Sequence, residues 1–330
     1  MIEIDGSYLE GGGQILRTSI ALSCILKKPF RIYNIRKNRP QPGLKAQHLA
    51  GAKFAAKLLN AEVKGLHIGS TEIEFIPKEE NIPNFEEINI GTAGSISLFL
   101  QTIYPIIAFL SNKKVKLRII GGTCVLHAPT IDYIDLVKFE NLKFLGIEKP
   151  EINIVRHGFY PKGGGIVEIE IYPIKKLNGV EMIERKNFLK YVARISAFED
   201  EKRIREEAEV IKNELKDVEL KIKNEKTLSK GFSVTIASYY ENCILGSDSL
   251  ENSKIAINNL KKAENSNACL EKYMADQILI YLALCEEKSI IKVEEISNHT
   301  LTNIYTIEKF LGKIFKVREN IIEKIQNILF

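Results

Sequence analysis

The residue best suited to covalent chemistry is a histidine near the C-terminal end of the sequence. His299 lies in SNHTLTNIYTIEKFL, residues 297–311, directly before an amphipathic helical pattern. A helix N-terminus attracts phosphate and disfavours imidazolium, so a neutral ring nitrogen there is available as a nucleophile. In the alternative interpretation, Ser297 or Thr300 caps the helix and His299 is a bystander.

A second group of residues near the N-terminus is suited to binding an anion. Glu10 precedes three glycines, and Gln14 and Arg17 follow at the start of a strongly apolar helical pattern. The free N–H groups at such a helix start attract phosphate. Glu10 would repel that phosphate unless a divalent cation lay between them, so we predict Glu10 as a metal ligand. Arg17 needs a partner on so apolar a helix, and we predict that Gln14 and Arg17 bind phosphate.

The segment KNRPQPGLKAQH, residues 37–48, adds further polar side chains before a second helical pattern. Arg39 is suited to bidentate binding of a phosphate group. We place Gln47 in the same phosphate-binding set. His48 lies on a helix with an apolar face, and we interpret it as structural.

The elements that must position these residues form a threefold repeat. Each unit runs helix, strand, loop, helix, with two closing strands in the first two units. The units begin at residues 11, 91 and 272. We predict that the third unit ends differently from the other two, in residues 316–330. If the units superpose, their loops gather at one end, and Arg39, Pro129 and His299 converge.

Residues from about 182 to 255 do not fit the repeat. They read as strand, helix, strand and two further strands, which predicts a small inserted α/β domain. We therefore predict a catalytic domain formed by residues 1–181 and 256–330, with residues 182–255 as the insertion.

Composition excludes several classes of protein. The 330 residues are 45% apolar and 27% charged, as in ordinary globular proteins, and the net charge of +5 permits a polyanionic partner. The five cysteines lie far apart without CxxC spacing, which argues against a structural zinc site. With neither a signal-peptide pattern nor a membrane-spanning run, we expect a cytoplasmic protein with no membrane partner.

The hairpin RHGFYPKGGGIVEI, residues 156–169, is open to two interpretations from its residues. Three glycines allow either a closely packed corner or a phosphate cradle of backbone N–H groups. Its pattern resembles the signature of the RNA 3'-terminal phosphate cyclase family. Other motifs resemble that family in the same order: DGSYLEGGGQILR, RPQPGLKAQH, GTAGS with LQT, GGT with AP, YMADQ and the final His-x-x-x-Asn.

This resemblance implies an enzyme that converts an RNA 3'-phosphate into a 2',3'-cyclic phosphodiester. His299 would be its nucleophile and accept AMP from ATP, with Mg²⁺ or Mn²⁺ present. Gln14, Arg17, Arg39 and Gln47 would then hold the phosphates or the RNA end. The resemblance also implies an α/β (α+β) fold of three repeated units, each a four-stranded sheet with two helices, plus the insertion. Residues expected to bind ATP are Gln101, Pro129, Tyr273, Met274, Ala275, Asp276 and Gln277.

Two other classes remain open from the sequence. One is a cyclase-like RNA-binding or ribosome-assembly factor, which resembles the family but lacks the catalytic histidine. The other is an enolpyruvyl-type transferase on a similar repeated fold, which should need more basic residues in its loops. The oligomeric state is left open, with a homodimer as one option.

Overall fold

The first repeat unit begins with a strand that the sequence patterns did not predict. In this computed structural model, which describes residues 1–325, the unit comprises β1 (Ile2–Asp5), α1 (Gln14–Leu26), β2 (Phe30–Tyr33), α2 (Ala46–Leu58), β3 (Glu62–Lys64) and β4 (Ile73–Ile76). The sheet order is β1-β2-β4-β3, with β1 parallel to β2 and the other pairs antiparallel. Alternate residues of β2 and β4 are buried, so one face of this sheet packs on the core.

The second unit repeats this order and contains a π-helical turn. It comprises β5 (Phe85–Asn89), α3 (Ile96–Leu110), β6 (Val115–Gly121), α4 (Ile131–Tyr133), a π-helical turn (Ile134–Lys138), α5 (Phe139–Lys143), β7 (Glu151–Arg156) and β8 (Gly165–Ile171). The sheet order is β5-β6-β8-β7, with β5 parallel to β6. The predicted second helix therefore exists but is interrupted, and such π-turns frequently lie at functional sites.

The insertion separates the first strand of the third unit from its first helix. After β9 (Glu181–Met182) come β10 (Phe188–Phe198), α6 (Glu201–Glu214), β11 (Glu219–Asn224), β12 (Gly231–Tyr240), β13 (Ile244–Ser249) and α7 (Ser253–Asn265). Strands β10–β13 form their own sheet, ordered β11-β10-β12-β13. A separate hydrophobic cluster extends from Ala193 to Ala263 and includes Ile257 and Leu260 of α7. The division of the chain at residues 181 and 255 stays a prediction.

The third unit closes with the same hairpin as the other two. It comprises β9, α8 (Lys272–Leu284), β14 (Ser289–Lys292), α9 (Asn298–Leu311), β15 (Phe315–Arg318) and β16 (Ile321–Lys324), with sheet order β15-β16-β14-β9. The prediction that residues 316–330 end the third unit differently is wrong for the described residues 316–325. There, β15 and β16 pair antiparallel, as the closing strands do in the other units. Residues 326–330 lie outside the described residues.

The predicted fold class is confirmed, with a four-stranded sheet in each unit. Helix α1 lies at the centre of the large core, and it packs against α3 of the second unit and α9 of the third. An apolar helix between two others positions its few polar side chains at a junction of all three units. In residues 1–325, every helix is too short or too polar to cross a bilayer.

Candidate active site

His299 lies in the first turn of α9 and has one free ring nitrogen. Ser297 caps the helix by accepting a hydrogen bond from the Thr300 N–H at 3.1 Å. The ring Nδ1 of His299 lies 2.9 Å from Oε1 of Gln14, and the amide group of Gln14 is committed elsewhere. Because Oε1 can only accept, His299 Nδ1 must carry the proton. The lone pair of Nε2 is therefore free, and the side chain is 48% exposed.

A half-buried carboxylate orients the glutamine that orients His299. Nε2 of Gln14 donates to Oδ2 of Asp276 at 2.6 Å. Burial raises the pKa of Asp276 to about 7, against the opposing effect of Arg17. Asn303 donates to the backbone carbonyl of Asp276 at 2.6 Å and accepts from Thr18 at 2.7 Å. These bonds tie α1, α8 and α9 together around the histidine, which holds its ring in one orientation.

Arg17 supplies a half-buried positive charge beside this chain of hydrogen bonds. Its Nε donates to Oε1 of Gln101 at 3.0 Å, which joins α1 to α3. Burial lowers the pKa of Arg17 to about 10, and Asp276 opposes that shift. The guanidinium therefore stays charged at neutral pH. The partner that Arg17 was expected to need is Gln101, a pairing that the sequence did not predict.

Glu10 and Arg39 form an ion pair at the mouth of the site. The Glu10 side chain is only 9% exposed, and its Oε1 lies 3.7 Å from Nε2 of His299. The close approach at Gly13 explains the glycine run, because a methyl group there would collide with the ring of His48. His48 accepts a hydrogen bond from the Lys45 N–H at 3.1 Å, and burial lowers its pKa to about 3. His48 thus supports the loop as a neutral residue.

Lys138 is a further polar residue of the site, and the sequence analysis missed it. A small cleft lies beside Gln14, the partner of His299, and is lined by Arg17, Gln101, Lys138, Asp276 and Asn303, among others. Lys138 ends the π-helical turn and is buried, and burial lowers its pKa to about 7. Asp276 opposes that shift. The π-turn thereby places the Lys138 amine on the cleft wall, where Asp276 is the nearby negative charge.

Replacing Lys138 with methionine should stabilise the fold in a pH-dependent way. The unfolded lysine stays protonated up to 10.5, whereas the folded one loses its proton near 7. The unfolded state therefore binds more protons between these values, and the native protein gains stability as pH rises through them. Lys138→Met should raise the free energy of unfolding most at pH 6, by at most about 5 kcal/mol at about 1.4 kcal/mol per pKa unit.

Urea unfolding of native and variant protein at pH 6 and pH 10 checks this prediction. The gain should shrink towards zero at pH 10. An equal gain at both pH values would contradict it and would mean that packing alone explains the change.

The YMADQ segment opens α8, and its residues face different ways. Tyr273 is 57% exposed, whereas Met274 and Ala275 are buried in the core. Nε2 of Gln277 donates to the Tyr273 carbonyl at 3.0 Å. The structure brings Asp276 and Gln277 to the cleft and does not bring the side chains of Met274 and Ala275 there.

Two other predicted residues lie in segments that are held by hydrogen bonds to parts of the chain other than His299. Oε1 of Gln47 accepts from the Ser95 N–H at 3.0 Å and so holds the start of α3. Pro129 precedes Thr130, whose N–H donates to Asp248 of the insertion at 2.7 Å. Of the three residues expected to converge, Arg39 and His299 both lie close to Glu10. The loop after Pro129 is instead fixed to the insertion.

The pKa of His299 is lowered by burial of its ring and by the nearby charges of Arg17 and Arg39. The neutral, nucleophilic form should therefore persist as pH falls below the ordinary value of 6.5. An NMR titration of the ring, assigned by loss of the signal in His299→Asn, should give a midpoint below 6.5. A midpoint at or above 6.5 would contradict the expectation and mean that Glu10 dominates the local field.

Asn303 was named only as part of a motif, although its spacing carried a usable signal. It lies four residues after His299, so both share one face of α9. No comparable signal marked Lys138, because a lysine in an amphipathic helix is ordinarily exposed.

Comparison with known proteins matches most of the chain to one family. Residues 8–317 match the family model described as RNA 3'-terminal phosphate cyclase. A protein of that name from Pyrococcus abyssi is 42% identical, over 96% of this chain and 94% of its own length. A protein of the same name from Pyrococcus furiosus is 39% identical, over 98% of this chain and 97% of its own length. Another from Saccharolobus islandicus is also 39% identical, over 94% of this chain and 94% of its own length.

Proposed function

The chain belongs to the RNA 3'-terminal phosphate cyclase family, and on that premise we propose that it cyclises RNA 3'-phosphate ends through an AMP-histidine intermediate on His299. It is an enzyme of the ligase class. The family match sets aside the enolpyruvyl-type transferase considered from the sequence. The observation that carries the mechanism is the bond from His299 Nδ1–H to Gln14, which leaves Nε2 unprotonated and accessible.

The proposed reaction has three displacements at phosphorus. Nε2 of His299 attacks the α-phosphorus of ATP, forming an N–P bond and releasing pyrophosphate. An oxygen of the RNA 3'-phosphate then attacks the same phosphorus, breaking the N–P bond and leaving AMP on the RNA end. The neighbouring 2'-hydroxyl attacks the RNA phosphorus, loses its proton and expels AMP. Covalent catalysis of this kind divides one difficult step into easier ones.

Positive charge close to His299 supports the proposed transfer of AMP to this residue. Arg17 lies in the cleft wall and Arg39 at its mouth, so each can neutralise phosphate oxygens. The glycine loop before α1 presents a helix N-terminus on the same side. Gln101, Asp276 and Gln277 line the cleft and remain our candidates for binding the nucleoside. Tyr273, Pro129, Met274, Ala275 and Gln47 stay predictions from the family resemblance.

A divalent metal, Mg²⁺ or Mn²⁺, is the proposed cofactor, with Glu10 as its protein ligand. Neither carboxylate oxygen of Glu10 makes a hydrogen bond of normal geometry within residues 1–325, although Glu10 pairs with Arg39. The same residues contain no group of three His, Cys, Asp or Glu side chains that could hold a metal alone. A nearly buried carboxylate whose Oε2 has no partner among these residues fits a cation shared with substrate phosphates. When bound, it would neutralise charge on those phosphates.

Adduct formation with ATP labelled in the α-phosphate tests this proposal. With Mg²⁺ or Mn²⁺, the protein should acquire an AMP adduct that is acid-labile and stable in alkali. Adding RNA with a 3'-phosphate should discharge the label as free AMP and give an end resistant to phosphatase. ATP binding without an adduct would overturn the mechanism and favour an RNA-binding assembly factor.

A further inference from the structure

The signature hairpin between β7 and β8 presents exposed side chains that the proposed reaction does not use. Tyr160 at its tip is 71% exposed, and Lys162 beside it is also exposed. The hairpin base is fixed, because the N–H and Nδ1 of buried His157 lie 3.0 and 3.1 Å from Oε1 of Glu225. The exposed ring of Tyr160 is therefore held on a rigid corner and not on a loose loop.

A loop of the insertion lies directly against this corner. The Lys162 N–H donates to Oγ of Ser229 at 3.2 Å, and Leu228 packs over Gly164. Leu228 is 50% exposed and is flanked by exposed Lys226 and Lys230. We call Tyr160, Lys162, Lys226, Leu228 and Lys230 together the hairpin surface. It therefore combines side chains from the catalytic domain and the insertion.

The charges of the hairpin surface are uncompensated. Across the described part of the chain, Lys162, Lys226 and Lys230 form no ion pair with a carboxylate. Many other surface lysines do have such partners, including Lys114 with Glu170 and Lys190 with Glu219. Three unpaired lysines around an aromatic and an aliphatic side chain are the pattern of single-stranded nucleic-acid surfaces.

Direct packing links this surface to the candidate active site. A methyl group on Gly163 would come within 2.7 Å of Ala93, so the hairpin lies on the loop before α3. In that loop, a methyl on Gly94 would come within 3.2 Å of the Gln47 side chain. Gln47 adjoins His48, whose ring lies against the glycine run before α1. Only two layers of residues therefore separate the hairpin surface from the phosphate-binding loop.

We propose that the hairpin surface binds the RNA strand upstream of its reacting 3'-end. Lys162, Lys226 and Lys230 contact successive phosphodiesters, and a base stacks on Tyr160. This inference rests on the proposed function and explains how an enzyme that needs only the terminus gains affinity for the strand. Because backbone charge and stacking carry little sequence information, the surface suits many RNA ends.

Replacing the three lysines with alanine tests the proposal. The substrates are a single-stranded RNA of about twelve nucleotides, within the usual range of single-strand sites, and a trinucleotide, both with a 3'-phosphate. The matched control replaces Lys113, Lys175 and Lys288, which are also exposed and lie beyond the opposite end of α3. Both variants lose the same charge.

We expect the hairpin variant to raise KM for the longer RNA about tenfold and leave the trinucleotide unchanged. The slope of log affinity against log salt should fall by about 2, since each contact to a single strand contributes about 0.7. The control variant should leave both unchanged. Equal effects of the two variants, or an unchanged KM and slope in the hairpin variant, would overturn the proposal.

Tyr160 provides a second variant that tests stacking separately from charge. Tyr160→Ala should weaken binding of the longer RNA about tenfold, within the range for loss of one stacked base, and Tyr160→Phe should retain it. AMP adduct formation with ATP alone should be normal in every hairpin variant. If the native protein forms no adduct, the proposed function fails. If only the RNA-length effect is missing, the hairpin proposal alone fails.

Discussion

Substituting His299 with alanine should abolish the AMP adduct and cyclisation together, while the protein stays folded. Removal of a covalent nucleophile typically lowers the catalytic rate on the order of a thousandfold or more. The side chain is half exposed, so its loss leaves no large cavity. Labelled ATP and single-turnover cyclisation give the rate, and thermal unfolding checks that the variant is intact.

Two further variants make the His299 result specific. His67 is an exposed histidine of the first unit, and His67→Ala should retain full adduct formation. Gln14→Ala keeps the nucleophile but removes the acceptor of its Nδ1–H, so it should slow the adduct step about 10- to 100-fold, as loss of an orienting partner often does. An adduct that survives in His299→Ala would sink the assignment of the nucleophile and keep the reaction class.

Changing Arg17 to lysine should slow adduct formation about 100- to 1,000-fold, the range for losing one preorganised donor to a developing charge. Lysine keeps the positive charge but lacks the Nε–H that Arg17 donates to Gln101 at 3.0 Å. It also lacks the planar fork that matches phosphate oxygens. Single-turnover labelling with saturating ATP measures the chemical step directly.

The control for Arg17→Lys is Arg31→Lys on β2, where the arginine pairs with Glu72 at the surface. That change should leave the adduct rate unaltered. Gln101→Ala should have a smaller effect than Arg17→Lys, because the guanidinium remains. A normal adduct rate in Arg17→Lys would contradict this prediction and show that positive charge alone suffices at position 17.

Much of the fold could be predicted from the sequence because its helices are long and apolar. The patterns predicted α1, α3, α8 and α9 and the repeat that relates them. They missed β1, β5 and β9, which are short and precede the first helix of each unit. A two-residue strand such as β9 carries no period of its own and is defined only by its pairing with β14.

The site was predicted less completely than the fold, for geometric reasons. His299, Arg17 and Glu10 could be chosen by residue type and helix position. The pairing of Gln14 with His299 spans 285 residues, and local spacing cannot reveal such a contact. Consecutive residues of a helix point in different directions, so the YMADQ motif could not have all five side chains at the cleft. Lys138 depends on a π-turn, which has no composition signal.

The position of the insertion has a consequence for how the enzyme is made. Strand β9 is complete at Met182, but its partner β14 begins only at Ser289. At about 5–20 residues per second, the ribosome needs roughly ten seconds to supply that partner. The first two sheets can assemble on the nascent chain, whereas His299 can join Gln14 only at the end. If His299 is the nucleophile, as proposed, unfinished polypeptides that lack it should form no adduct with ATP.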